Sequence, residues 1–368
     1  MRTEADFSPA WAVPPGRTVA DLLTAKRISA TTMATSMGWT SKELDDLIKG
    51  NTELTASIAA RLAEVVGASA TFWLRREEQY REHLASLTND VDPKDEGYKE
   101  WLRSLPLRQM IEFGWIQDTE DKKAKLRKCL DFFGVPNLDT WKRTYGEVRS
   151  AAAFRTTDAH VENEPATAAW LRQGEVLSDE IDCAEWNPAA FESKLSEIKK
   201  LTIVPNPSDF LPRLRALCAE AGVAVVIVRA PPGCRASGAT FFSTPTKAVL
   251  LLSFRYLSDD QFWFSFFHEA AHLVLHYDVE SLILETTIDG PKSPLEAEAN
   301  QFAAEHLIPP ALQQKMRAAS KSRFEIGRLA REAGVSIGIV VGQMQHRGYV
   351  KREHYNKFKV RYRWTELS

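Results

Sequence analysis

The residues best suited to chemistry lie in one short run, His268-Glu269-Ala270-Ala271-His272. Histidines four positions apart project from the same face of a helix, so both imidazoles can bind a single Zn²⁺ ion. A glutamate directly after the first histidine is placed to take a proton from a water held by that ion. The run therefore predicts His268 and His272 as metal ligands and Glu269 as a catalytic base.

The sequence around this run is apolar on nearly every side, with aromatic residues at 262–267 and Leu-Val-Leu at 273–275. These flanks predict a buried helix, whereas a surface helix with two unrelated histidines would have polar flanks. Buried polar groups are costly unless they have partners. The polar residues of the helix form one stripe, made of Ser265, His268, Glu269, His272 and His276.

A catalytic zinc ion takes three protein ligands, and a second predicted helix, over residues 295–305, offers Glu296 and Glu298 as the third. The helix face that starts at Glu296 continues through small, amide or apolar residues, namely Ala299, Asn300, Ala303 and Leu307. The face that starts at Glu298 is more polar and continues through Gln301, Phe302, Glu305 and Pro309. A metal site beside a buried helix needs a carboxylate on the helix face that points into the protein. The less polar face of Glu296 suits that position, which favours Glu296 over Glu298.

The whole chain has 368 residues, enough for two or three domains, and is 44% hydrophobic and 26% charged, as in ordinary globular proteins. It has no apolar run of membrane-spanning length and no signal-peptide pattern, so we expect a cytoplasmic protein with no membrane partner. The cysteines are far apart without a CxxC pair, which predicts reduced thiols. A formal net charge of -2 leaves any DNA binding to a local surface.

The first block, residues 1–90, is predicted to form a bundle of short helices at 19–26, 30–37, 41–49 and 55–66. Thr40 or Ser41 suits the N-cap of the third helix and Thr55 that of the fourth. Stretches within residues 10–85 resemble the helix-turn-helix of HigA-type antitoxins of the XRE class. They are Pro14-Pro15-Gly16, Asp21-Leu22-Leu23, Met37-Gly38-Trp39, Leu47-Ile48-Lys49-Gly50, Phe72-Trp73-Leu74 and Gln79-Tyr80.

This resemblance implies that a dimer binds operator DNA through the third helix. The residues that it places toward the groove are Thr40, Ser41, Lys42, Asp45 and Asp46. Residues 1–90 contain ten Lys/Arg and twelve Asp/Glu, and aspartates are repelled by phosphate. A helix-turn-helix that serves only for dimerisation or for holding a toxin is therefore the alternative.

Two further blocks follow in the sequence. Residues 91–210 are predicted to be helical and aromatic-rich, and they resemble the connecting region of long HigA-like proteins that carry a peptidase. The block at 211–315 begins with a buried strand at 223–228 and a hairpin of 238–242 with 248–253, followed by the HEAAH helix and the Glu296 helix. This order predicts an α+β fold that is predominantly helical.

The HEAAH run followed by residues 295–309 (LEAEANQFAAEHLIP) resembles the ImmA/IrrE family of gluzincin-like zinc metallopeptidases. By this resemblance, Asn300 stands where many gluzincins place an aspartate that supports a ligand histidine. His276 is expected behind the ligands or at the mouth of the site. The strand at 238–242 is expected to hold an extended substrate by edge pairing. No residue is assigned to the oxyanion, for which His306 and Tyr256 are candidates.

The last block, residues 316–368, contains two predicted helices within 324–345 on either side of Gly334. Residues 357–364 alternate between basic and apolar side chains, which predicts a strand. Residues 345–368 carry seven Lys/Arg against two Glu. That surface either meets phosphate or an acidic protein, or belongs to a packed edge strand whose charges face water.

These observations favour a DNA-binding antitoxin or transcriptional regulator fused to a zinc-dependent endopeptidase of narrow specificity. The expected cofactor is Zn²⁺. The expected partners are operator DNA, a protein substrate or cognate toxin or repressor, and a second copy bound through the helix-turn-helix. Two alternatives remain: a non-catalytic antitoxin or repressor whose peptidase-like domain binds or senses, and a peptidase acting in phage defence.

Overall fold

The computed structural model describes residues 14–26, 28–89, 92–153, 164–244, 246–276, 283–286, 294–320 and 322–364. The chain divides into two compact units, an N-terminal unit (Met1–Gly146) and a C-terminal unit (Glu147–Ser368). This division falls inside the connecting region predicted at 91–210, and the finer division into four blocks remains a prediction. No helix within the described ranges is long and apolar enough to cross a membrane.

The described part of the N-terminal unit is helical. Its helices are α1 (Pro15–Lys26), α2 (Ala30–Met37), α3 (Ser41–Lys49), α4 (Ala56–Val65), α5 (Ala70–Asn89), α6 (Glu96–Ser104), α7 (Leu107–Glu112), α8 (Lys122–Phe133) and α9 (Leu138–Ala153), which begins in this unit.

Helices α2 and α3 have the bounds predicted from the sequence and are joined by a tight turn. Gly38 ends α2 in the left-handed conformation, with φ of 66°. Thr40 caps α3 through a reciprocal pair of hydrogen bonds with Glu43, and Thr55 caps α4. These predicted caps are confirmed, since each is set by residues adjacent in the sequence.

The remainder of this unit, α6 to α9, is helical and aromatic, as predicted for the connecting region. Trp101, Phe133, Trp141 and Tyr145 form a cluster in which neighbouring ring centroids lie 5.2 to 5.9 Å apart. Aromatic rings in edge-to-face and tilted pairs at these distances stabilise a core beyond the burial of their area.

The C-terminal unit combines helices with one small sheet, and this confirms an α+β, predominantly helical fold. Its elements are α10 (Glu164–Asp179), α11 (Pro188–Lys200), a 3₁₀ helix (Leu201–Ile203), α12 (Pro207–Ala219), β1 (Val223–Ile227), β2 (Ala236–Thr244), β3 (Lys247–Leu252), α13 (Asp259–Leu275), β4 (Ile283–Thr286), α14 (Pro294–Leu307), α15 (Pro310–Ala319), α16 (Arg323–Ala333), α17 (Ile337–His346) and a second 3₁₀ helix (Asn356–Phe358).

The sheet has the strand order β1-β3-β2-β4. Strands β2 and β3 pair antiparallel and confirm the predicted hairpin, while β1 pairs parallel to β3. Strand β4 was not predicted and pairs antiparallel with β2.

Helix α13 packs against β2 and β3 and also against α14 and α17. Of the aromatic residues that lead into its HEAAH run, Trp263, Phe266 and Phe267 are fully inaccessible, Phe262 is buried and Phe264 is half-buried, which confirms the predicted burial of this helix.

The predicted strand at 357–364 is wrong. The second 3₁₀ helix overlaps its start, and its only strand-like pairing in the described chain is a single bridge between Arg361 and Ser258. The apolar half of the alternation does pack on the core, through Phe358, Val360, Tyr362 and Trp364. The segment thus alternates because one side is buried, but within the described ranges no neighbouring strand forms a ladder of hydrogen bonds with it.

Candidate metal centre

Helix α13 brings the HEAAH run into the interior. It begins after Ser258, and Asp259 and Asp260 occupy its first turn, where the helix dipole favours negative charge. All residues from 266 to 273 are buried. His268, Glu269 and His272 are each at most 1% exposed. These polar side chains are therefore enclosed by protein and not by bulk water.

Three of the predicted groups converge at one point. The Nε2 atoms of His268 and His272 lie 3.1 Å apart. From α14, Oε2 of Glu296 lies 3.1 Å from Nε2 of His268, and Oε1 lies 3.5 Å from Nε2 of His272. The Glu296 side chain is 13% exposed, whereas that of Glu298 is 60% exposed, so the inward carboxylate of α14 is the one expected from the helix face.

The three converging groups fit a zinc ion. Zinc prefers imidazole nitrogen and carboxylate oxygen in tetrahedral geometry, and bond lengths of about 2.0–2.2 Å place neighbouring ligand atoms about 3.3–3.5 Å apart. The observed separations of 3.1 to 3.5 Å are close to this spacing. Within the described residues, this is the one group of three or more His, Cys, Asp or Glu side chains arranged to hold a metal ion.

Strand β2 contacts the side chain of Glu269, the predicted base. The hydroxyl of Thr240 donates a hydrogen bond of 2.7 Å to Oε2 of Glu269. A Cβ atom at Gly238 would overlap the Glu269 carboxylate, so only glycine lets the strand approach this closely. Sequence reasoning missed both residues, because a threonine and a glycine in a strand about 30 positions upstream carry no distinctive pattern.

Behind His272 lies the third histidine of the stripe. The Nδ1 atoms of His272 and His276 are 3.0 Å apart, and Nε2 of His276 is 3.0 Å from Oε2 of Glu298. The amide of Asn300 is half-buried, and within the described residues it forms no hydrogen bond with His268 or His272. The sequence offered Glu298 only as a competing metal ligand. In the structure, Glu298 and His272 both contact His276.

The predicted edge pairing of substrate with residues 238–242 is wrong for residues 238–240, and for 241–242 it stays a prediction. Strand β4 occupies that edge of β2, with Gly238, Ala239 and Thr240 opposite Glu285, Leu284 and Ile283. The strand that contacts Glu269 is therefore an interior strand of the sheet, and β4 is the outermost described strand on this side.

The two oxyanion candidates lie in different surroundings. His306 stacks on Phe267, with ring centroids 4.8 Å apart, and burial lowers the pKa of its imidazole despite an opposing backbone hydrogen bond. Tyr256 is 43% exposed and lines a small pocket with Ser237 and Ser265. Ser265 is about one helical turn before His268 and Glu269, but neither of these two residues lines the pocket.

The first turn of α13 is tied to the C-terminal segment. Lys359 forms an ion pair of 2.7 Å with Asp260, and the N–H of Val360 donates to Asp259 at 3.1 Å. Burial raises the pKa of Asp259 to about 6, although the hydroxyl of Ser336, which donates to its carboxylate at 2.6 Å, opposes the shift. At least this basic residue of the C-terminal segment faces a buried carboxylate and not a phosphate.

The residues predicted to face DNA lie on α3 or at its start. Ser41 and Lys42 are exposed, and Asp45 and Asp46 are half-buried. The hydroxyl of Thr40 is already engaged with Glu43, and the backbone N–H of Thr40 lowers the pKa of the Glu43 carboxyl. Ser41 and Lys42 are therefore the best placed of these residues to meet a ligand.

The comparison with protein-family models agrees with the geometry of the C-terminal unit. Residues 221–343 match the model of the Peptidase_M78 family, described as the IrrE N-terminal-like domain. These residues include β1, the HEAAH helix, α14 and most of α17. Neither the comparison with curated proteins nor the comparison with solved structures found a match. A domain of a metallopeptidase family is thus present over about a third of the chain, within the C-terminal unit, and it contains the His-His-Glu cluster.

Proposed function

We propose that this protein is a zinc-dependent endopeptidase of narrow specificity that hydrolyses a peptide bond in a protein partner. The observation that carries the proposal is the convergence of His268, His272 and Glu296 beside a buried Glu269. His268 and His272 would bind zinc through Nε2, and Glu296 through its carboxylate. When bound, zinc would polarise the peptide carbonyl and lower the pKa of a water molecule.

The protein's own groups then account for the proton transfers. The carboxylate of Glu269 accepts a proton from the attacking water and delivers it to the nitrogen of the leaving amine. Thr240 fixes the orientation of that carboxylate through its 2.7 Å hydrogen bond. The buried surroundings of Glu269 exclude bulk water, which strengthens the electrostatic interactions of the site.

Cleavage can be tested by comparing the new protein N-termini that appear in cells expressing wild-type protein, Glu269→Gln or the control Glu305→Gln. Glu305 lies on α14 and accepts a hydrogen bond from Gln301, away from the metal face. We expect the same new N-termini with wild type and Glu305→Gln and none with Glu269→Gln, since an amide cannot accept the proton. Equal cleavage by Glu269→Gln would contradict the mechanism. Zinc binding without any cleavage by wild type would favour the non-catalytic alternative.

We further propose that the N-terminal unit binds operator DNA, as a dimer, in an antitoxin or transcriptional regulator. Support comes from the two helices joined at Gly38 and from the exposed Ser41 and Lys42 of α3. A short helix pair of this kind can place its second helix in the major groove. Protection of DNA upstream of the protein's own coding sequence, at low salt, tests this role, and absence of protection favours a dimerisation or toxin-binding module.

A further inference from the structure

A row of hydrogen-bonding atoms extends from the metal centre toward the surface. Nδ1 of His272 lies 3.0 Å from Nδ1 of His276, and Nε2 of His276 lies 3.0 Å from Oε2 of Glu298. His276 is 4% exposed, whereas the Glu298 side chain is 60% exposed. Two buried rings therefore connect the proposed metal ion to a carboxylate that water can reach.

The donors and acceptors of this row have one consistent order when His272 binds a metal through Nε2. The metal takes the lone pair of Nε2, so the proton of the neutral ring is on Nδ1, which donates to Nδ1 of His276. The proton of His276 is then on Nε2, which donates to the carboxylate of Glu298. In the reverse order, a lone pair of His276 would face a charged carboxylate, which is unfavourable in a buried site.

The position of α14 makes this order possible. Glu296 and Glu298 are on the same helix, two residues apart, so one helix supplies a carboxylate to the proposed metal ion and another to His276. Asn300, at the position expected to support a ligand histidine, forms no hydrogen bond with either histidine in the described chain. A contact that can orient His272 is instead made by His276, whose Nδ1 lies 3.0 Å from Nδ1 of His272.

We propose that His276 and Glu298 act as a positioning pair that fixes the ring orientation and the tautomer of His272 and thereby strengthens metal binding. This inference rests on the proposed zinc site and adds to it a role for two residues that are not ligands. Hydrogen-bond partners of a ligand histidine typically contribute 10- to 100-fold to metal affinity.

The test is the zinc affinity of the full chain, measured by competition with a chromogenic chelator. We expect the Kd for zinc to rise about 10- to 100-fold in His276→Phe and about tenfold in Glu298→Ala. The double variant should bind no more weakly than His276→Phe alone, because the row is already interrupted at His276. Glu305→Ala, on the same helix, is the matched control and should leave the Kd unchanged.

A rescue variant separates positioning from a loss of packing. In His276→Asn, the amide oxygen can still accept the proton of His272 but no longer connects it to Glu298. We therefore expect His276→Asn to recover part of the affinity lost in His276→Phe, and Glu298→Ala to have no further effect in that background. The visible spectrum of the Co²⁺-loaded protein should shift in His276→Phe and return toward wild type in His276→Asn.

Two results would overturn the inference, and they differ from failure of the zinc site. If wild type binds zinc and the effects of His276→Phe and Glu298→Ala simply add, or if Glu298→Ala binds as tightly as wild type, the pair does not act as a unit. If wild type binds no zinc, the proposed function fails as well. Should His276→Phe fail to fold, as judged by the thermal unfolding of the metal-free protein, the surface variant Glu298→Ala decides.

Discussion

Helices α3 and α13 both carry polar residues that the sequence marks for function, yet the structure surrounds them very differently. On α3, Ser41 and Lys42 are exposed, and polar residues there cost nothing to keep. On α13, His268, Glu269 and His272 are at most 1% exposed and need partners to be tolerated. A polar residue is therefore strong evidence for a site where it is buried and weak evidence where it is exposed. Substitutions at the two helices should differ accordingly in their effect.

The largest effect is expected from Gly238→Ala, which would push a methyl group into the Glu269 carboxylate. Displacing a catalytic group by about 1 Å can cost about a hundredfold in rate, so we expect turnover to fall by at least that factor while zinc content is retained. Gly327→Ala is the control, since a Cβ there meets its nearest atoms at 3.9 Å. Normal turnover in Gly238→Ala would show that the close approach of β2 to Glu269 is unimportant.

A smaller loss is expected from Thr240→Val, which keeps the shape of the side chain and removes the hydrogen bond to Glu269. Hydrogen bonds to charged groups contribute about 1.5–3 kcal/mol, so turnover should fall about tenfold or more. Thr202→Val, at a buried threonine on the first 3₁₀ helix, serves as the control. An equal loss in both variants would indicate general destabilisation and not a role for Thr240.

The pH dependence of stability should report on Asp259 at the start of α13. Its pKa is about 6 in the folded protein, above the ordinary value of 3.8, because of burial. The folded state thus binds this proton more tightly, so the contribution to stability is present below about pH 4 and is lost as pH rises through 6. In metal-free protein, lowering the pH from 7 to 4.5 should raise the free energy of unfolding of wild type relative to Asp259→Asn. Parallel pH curves for the two would contradict this assignment.

The smallest effect is expected from substitutions on helix α3. Lys42→Ala should weaken DNA binding several-fold and lower the dependence of log K on log salt by about one unit, as for loss of one phosphate contact. Replacing Asp45 and Asp46 by Asn should strengthen non-specific binding. Lys125→Ala is the control, because Lys125 is paired with Asp118 at 3.4 Å. DNA binding that is indifferent to Lys42 would remove α3 from the interface.

Features that depend on residues close together in the sequence could be predicted, and contacts between separate elements could not. The caps of α3 and α4, the burial of α13 and the inward position of Glu296 follow from residues close together in the chain or on one helix face. The contacts of Thr240 with Glu269 and of His276 with Glu298 depend on how separate elements pack, and no local pattern encodes them.

The two errors in the fold have similar causes. Strand β4 covers β2 through backbone hydrogen bonds, which depend little on side-chain identity. The segment at 357–364 alternates like a strand, but alternation reports burial of one side and cannot show whether a neighbouring strand exists. The alternating pattern therefore predicted which side of the segment faces the core, but it failed to predict whether the segment pairs with another strand.

Metal content tests the central claim most directly, because the proposed site assigns opposite roles to two glutamates on one helix. The wild-type chain and the variants Glu296→Ala and Glu298→Ala would be dialysed against a small excess of zinc and analysed by elemental mass spectrometry. We predict about one zinc ion per chain in wild type and Glu298→Ala and a sharp loss in Glu296→Ala, because a carboxylate ligand contributes directly to the large free energy of zinc binding. Retention of zinc in Glu296→Ala together with its loss in Glu298→Ala would contradict the site as assigned.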